Sequence, residues 1–185
     1  LTTAPYAGFL EASGWFDAVQ IDSRPGWKAL RGWRALRHSL RAGGYARVYD
    51  LQTSGRSSFY RRLFWPGRAP EWSGIAAGAS HPHANRGRDA MHTVERQAEQ
   101  LAMAGIAAVP PPSLDWVSAD AARFDLPVRY ALLVAGGSAH RPEKRWPAGK
   151  FAQLARRLAA AGVTPVLIGT RAEGEVNAMI AAFCA

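Results

Sequence analysis

The stretch from residue 128 onward constrains this chain more than any other. YALLVAGG (130–137) is a continuous apolar run, PAGKFAQLARRLAAAG (147–162) repeats apolar residues with a helical period, and TPVLIG (164–169) is a second apolar run before the helical RAEGEVNAMIAAF (171–183). Unbroken apolar runs suit strands buried on both faces, and two of them joined through a helix pair naturally in parallel. Phe151, Leu154, Ala155 and Leu158 share one helix face, with Pro147 at the first turn and Gly162 as the stop. The segment reads βαβα, half of a doubly wound α/β domain.

The first 110 residues alternate in a similar way. FDAVQID (16–22) and ARVYDLQ (46–52) read as strands, rich in β-branched and aromatic residues and bounded by Gly or Ser. Between them Ala29, Trp33, Leu36 and Leu40 form one helical stripe and Arg31, Arg34, His38 and Arg41 another, stopped by Gly43 and Gly44. A second helix is expected after the Ser54-Gly55 turn, a short strand near 72–77, and an irregular loop to 91. HTVERQAEQLAMAGI (92–106) reads as a helix with Val94, Ala98, Leu101 and Ala102 on its apolar stripe. Four prolines then interrupt VPPPSLDWVSADAARFDLP (109–127). The expected organisation is two tandem Rossmann-like units, at 1–110 and 128–185, joined by a linker at 111–127. Both read as incomplete, the first lacking its opening strand, and the chain, without an initiating Met, reads as a fragment.

Charge is uneven along the chain. The net charge is +9, and residues 24–68 hold eleven Lys/Arg against one acid, Asp50, whereas residues 92–185 hold ten against eight. The basic excess in the first half implies an anionic partner there. The single cysteine, Cys184, rules out an intrachain disulfide. With no long apolar run and no signal peptide, the expectation is a cytoplasmic protein. His81, His83 and His92 lack metal-ligand spacing, so no metal is expected. No G-x-G-x-x-G, P-loop or G-x-S-x-G is present, which argues against a nicotinamide cofactor, a P-loop NTPase and a nucleophile elbow.

Open parallel sheets bind ligands beyond the carboxyl ends of their strands, at helix N-termini. Two loops of the second half lie there. In GGSAHRPEKRW, Gly136 and Gly137 permit close approach, Ser138 offers a hydroxyl, and Lys144 and Arg145 add cations to the positive end of the next helix. The set suits a diphosphate; a solvated loop is the other reading. Trp146 is expected to pack the loop against the helix start. In GTRAEGE (169–175), Glu173 could accept ribose hydroxyls or serve as a first-turn acid.

The runs DLQTSGRSS, HTVERQAEQL, LLVAGGSAHRPEKRWPAGKFAQLARRL and PVLIGTRAEGE, in that order and spacing, resemble glycosyltransferase family 9, the ADP-heptose:lipopolysaccharide heptosyltransferases. The resemblance spans nearly the whole chain. It implies a GT-B fold, in which two Rossmann-like domains face each other across a cleft. It also implies inverting transfer from ADP-L-glycero-D-manno-heptose to the inner core of lipopolysaccharide, with no cofactor. By position, Gly137, Ser138, Lys144, Arg145, Gly169, Thr170 and Glu173 would bind the donor, with Lys144 on its phosphates and Glu173 on its ribose. Gln52, Ser54, Arg56, His92 and Arg96 would face the acceptor. The implied partners are an ADP-sugar, the anionic lipid A and core oligosaccharide, and the inner face of the inner membrane, with no nucleic acid. The family's general base is an aspartate in a Gly-Asp loop, and its nucleotide site is completed by D-x-G-P-x-H. This sequence holds neither, so no catalytic residue is assigned. Two other readings remain: a GT-B transferase using another sugar nucleotide, and a nucleic-acid-binding module built on the arginine-rich helix. A stripe holding Trp33 and Leu36, suited to burial against a sheet, disfavours the second.

Overall fold

A computed structural model describes residues 1–137 and 142–183. Ser138 and Cys184 lie outside them. The contacts divide the chain into Leu1–Ser118 and Ala119–Ala185, units 1 and 2 below. The fold is α/β with parallel sheets in both units.

Unit 1 opens with α1 (Ala4–Ala12) and α2 (Leu30–Ala42), then β1 (Arg47–Tyr49), α3 (Gly55–Tyr60), β2 (Glu71–Gly74), β3 (His81–Pro82) and α4 (Thr93–Met103). The three strands lie in that order, all parallel. Leu36 and Leu40 of α2 pack with Tyr60, Phe64, Trp72 and Ala76 to form the core, with Trp33 half-buried against it, so the expected stripe faces inward along this helix, while Ala29 precedes it and is exposed.

Two expectations for unit 1 change. Residues 16–22 form no strand; only Ile21 pairs, in an isolated parallel bridge with Thr2. A ladder needs a partner strand, and α1 begins two residues after Thr2. Asp22 instead turns inward and accepts a hydrogen bond from Tyr60 Oη at 2.5 Å. On α4 the apolar stripe is inward only in part: Val94 and Ala102 are exposed, Ala98 and Leu101 are half-buried, and the fully buried residue is Gln100. Its amide donates to the Asp50 carbonyl (3.1 Å) and to Ser73 Oγ (3.3 Å), while Gln97 donates to the Leu51 carbonyl (3.4 Å). The helix lies over strand ends, where carbonyls need donors, and a glutamine satisfies them where an alanine could not.

Unit 2 consists of β4 (Tyr130–Val134), α5 (Ala148–Ala160), β5 (Thr164–Ile168) and α6 (Gly174–Ala182). The strands are parallel, with Tyr130 opposite Thr164 and Val134 opposite Ile168. Ala152 of α5, Ile180 of α6 and Ala135 are buried together, with Phe151, Leu167 and Val176 packed around them. Gly162 sits at φ +70°, and the Val163 N–H returns to the Leu158 carbonyl at 2.9 Å, closing the helix as the glycine predicts. The strands are not covered on both faces. Leu133 is buried, but Leu132 and Val134 are 52% and 61% exposed, because both helices pack on one side.

Candidate functional site

Unit 2 has a cavity of about 310 Å³ beyond the carboxyl ends of its two strands, bounded by Gly136, Arg145, Trp146, Ala172, Glu173 and Glu175. Two glycines make it possible. A Cβ on Gly136 would lie 2.6 Å from Glu173 Cγ, and one on Gly169 would lie 2.8 Å from Glu173 Cβ. Glu173 is therefore seated between the two strand ends by the absence of side chains there.

Local chemistry fixes its orientation. Thr170 caps the short 3-10 turn Arg171–Glu173, and Glu173 Oε2 accepts from the Thr170 N–H (2.7 Å) and hydroxyl (2.6 Å). This is a capping box. The hydroxyl bond, the backbone bond and the nearby Arg145 charge hold the Glu173 carboxyl below the usual carboxylate range. So Glu173 does the helix-start work that was its other sequence reading, and it also lines the cavity.

The cations separate. Arg145 borders the cavity, with Nη2 donating to the Gly137 carbonyl at 2.6 Å. Lys144 ends the 3-10 turn Pro142–Lys144 and is exposed, and it is not among the residues that line the cavity. Trp146 packs edge-on against Phe151 with centroids 5.0 Å apart, as the sequence suggested, but it also forms part of the cavity wall. The N-terminus of α5 meets the cavity at Pro147 and Ala148, with no capping side chain and no acid in its first turn. A guanidinium and an uncapped helix N-terminus on one side suit an anion. A fixed carboxylate on the other side suits hydroxyl donors.

In unit 1, Gln52 is exposed, and Ser54 caps α3 in a reciprocal capping box with Ser57. Arg56 turns onto tryptophans, its guanidinium 5.8 Å from the Trp27 ring and 5.6 Å from the Trp33 ring. His92 is the exposed N-cap residue of α4, and Arg96 Nη1 reaches Asp89 at 3.9 Å. The two groups are linked by residues to which the sequence alone assigned no role here. Arg88 donates to Thr53 Oγ1 (2.6 Å) and pairs with Asp89 (2.9 Å), and its Nε lies 3.4 Å from His83 Nδ1. His83, its side chain fully buried, pairs through Nε2 with Glu99 at 2.8 Å.

Thr53 has φ +46°, a left-handed conformation that a β-branched residue adopts only when held. Asp50 Oδ1 accepts its N–H at 3.0 Å. Burial pushes the Asp50 carboxyl up, against opposing bonds from Ser57, Thr53 and Gln52 and the Arg88 charge. The available signal was an aspartate at a strand's carboxyl end, in YDLQTSG. Among the described residues no cluster of three or more His, Cys, Asp or Glu could hold a metal, and no helix is long and apolar enough to cross a membrane.

The family model for glycosyltransferase family 9 (heptosyltransferase) matches residues 33–184. The solved structure of E. coli ADP-heptose LPS heptosyltransferase II is similar, with a TM-score of 0.65 at 22% sequence identity, covering 97% of this chain and 57% of that one. At this identity the likeness speaks for the fold, and the chain spans little more than half of that protein's length. No curated protein matches the chain.

Proposed function

The chain belongs to glycosyltransferase family 9, and from that membership we propose that it serves heptosyl transfer from ADP-L-glycero-D-manno-heptose to the inner core of lipopolysaccharide. One observation carries the reading. The cavity beyond β4 and β5 sets Arg145 and the uncapped start of α5 against the capped, charged Glu173. A nucleoside diphosphate has a matching polarity, anionic at one end and bearing ribose hydroxyls next to it. Arg145 and the helix N-terminus take the diphosphate, with Lys144 beside them in solvent, and Glu173 accepts from the ribose.

In inverting transfer an acceptor hydroxyl displaces the nucleoside diphosphate from the anomeric carbon. Charge then builds on the departing phosphate, and fixed cationic donors stabilise that charge without reorganising. This chain's part in the step is to hold the leaving group. The proton-accepting base is assigned to none of its residues. Unit 1 supplies the acceptor side, where the strongly basic segment 24–68 suits a phosphorylated, lipid-linked sugar at the inner face of the inner membrane.

Calorimetric titration with ADP and UDP tests the reading. ADP is expected to bind in preference to UDP, and Arg145→Gln and Glu173→Gln are each expected to weaken it about tenfold, the worth of a charged hydrogen bond. Absence of ADP binding, or variants indistinguishable from the parent, overturns it.

A further inference from the structure

Within the basic segment, unit 1 contains a feature, the turn after α3, that the donor site does not use. After α3 the chain turns through residues 61–66, and α2 grips the carbonyls of that turn. Arg37 donates to the carbonyls of Leu63 (3.1 Å) and Trp65 (2.7 Å), and Arg41 to those of Phe64 (2.7 Å) and Pro66 (3.0 Å). Two guanidiniums thus fix four consecutive carbonyls. Phe64 is buried in the core beneath, yet Trp65 at the tip is 75% exposed. An immobilised backbone presenting a bare indole is an arrangement that folding alone does not require.

The surroundings give the tip its chemistry. Trp65 lines a cavity of about 490 Å³ with Arg61 and Arg62, and Arg62 and Arg68 are exposed. On α2, Leu30, Arg34, Arg37 and Arg41 recur at i, i+4, i+7 and i+11, a single helix face. Leu30 and Arg34 at its start are exposed. One side of unit 1 therefore carries an aliphatic side chain, an indole and a ring of arginines. The only acid within residues 24–68, Asp50, is buried at the end of β1. Indoles favour the boundary between hydrocarbon and headgroups, where the ring is buried and the N–H stays hydrated. Guanidiniums favour anionic headgroups. An exposed leucine beside them suits acyl chains better than stacked bases.

We propose that the Trp65 turn and the Leu30–Arg34 end of α2 form an anchor for an anionic phospholipid bilayer. Trp65 enters the interfacial layer while Arg34, Arg62 and Arg68 contact headgroups. Arg37 and Arg41 act as positioning residues that keep the turn rigid, so little ordering entropy is lost on docking. The inference rests on the proposed function only in choosing a bilayer over another polyanion, and it is tested without donor or acceptor.

The experiment is sedimentation of the purified protein with phosphatidylcholine vesicles, with and without phosphatidylglycerol. Binding is expected only with the anionic lipid. Trp65→Ala is expected to weaken it about tenfold, as loss of a partly buried aromatic would, and Arg62→Gln about fivefold. Both side chains are exposed, so far-UV circular dichroism and ADP titration should match the parent. Loss of vesicle binding with ADP binding intact separates this inference from the donor site. Equal binding to neutral vesicles, parental binding by Trp65→Ala, or displacement of the vesicles by short duplex DNA overturns it.

Discussion

The loops that follow β1 and β5 begin alike and end differently. Each leaves the carboxyl end of a parallel strand, carries a carboxylate, and starts the next helical turn with a hydroxyl residue in a capping box. After β1, Asp50 is buried and its carboxyl is pushed up, while Thr53, Ser54, Ser57, Arg88 and Gln100 bond to one another and to the strand ends. After β5, Glu173 lies at a cavity and its carboxyl is held down. The first loop uses its polar groups internally, to hold a strained turn. The second is braced on one oxygen and leaves its outer face for a ligand. A cap is thus no evidence against a ligand role; what decides is whether the capping group still borders open space.

Gln100→Ala should show the largest effect. It removes the donor to the Asp50 carbonyl and opens a hole under α4, which should cost about 2–4 kcal/mol in urea unfolding. A loss under ~1 kcal/mol would break the claim that the β1 loop is internally committed. Gly136→Ala comes next, at about 1–3 kcal/mol, because its Cβ would displace Glu173. ADP affinity should fall with it, whereas Gln100→Ala should leave the affinity of the folded protein unchanged. Removing the caps compares the loops directly. Ser54→Ala and Thr170→Ala should each cost about 1 kcal/mol, and only Thr170→Ala should also weaken ADP binding.

The smallest effects are in pH dependence, and their signs should oppose. The lowered Glu173 pKa contributes stability present above the ordinary carboxylate range and lost as pH falls through its folded value. The raised Asp50 pKa does the reverse: its charge penalises the folded state, and stability falls as pH rises from the ordinary value through the raised one. In thermal unfolding from about pH 3 to 7, Glu173→Gln should remove a gain in Tm on the rising limb. Asp50→Asn should remove a loss. Curves that shift in the same direction would show that the two carboxylates do not differ as described.

Much of unit 2 was legible because its signals are local. The helix start at Pro147, the stop at Gly162 and the strands at 130 and 164 depend on neighbours in sequence, and each is found within a residue or two. Unit 1 was harder to read. Its 16–22 segment has strand composition but only Thr2 to pair with, and pairing is not a local property. The α4 stripe misled because hydrophobic periodicity assumes an apolar partner, and α4 meets strand-end carbonyls. The roles of His83, Arg88 and Thr53 were invisible for the same reason: they matter through contacts up to 35 positions apart.

Taken by itself, the sequence determined the α/β class, the parallel alternation, the basic first half, and the two loops in unit 2 where a ligand could sit. These follow from periodicity, turn chemistry and charge, which act over a few residues. Only the tertiary structure decided which members of those loops face the cavity. It turned Arg145 rather than Lys144 to the rim, set Glu173 between two glycines beyond the ends of different strands, closed the β1 loop on itself, and left Trp65 bare on a clamped turn. Those outcomes depend on which side chains from distant segments reach the same few ångströms of space, and no spacing along the chain encodes that.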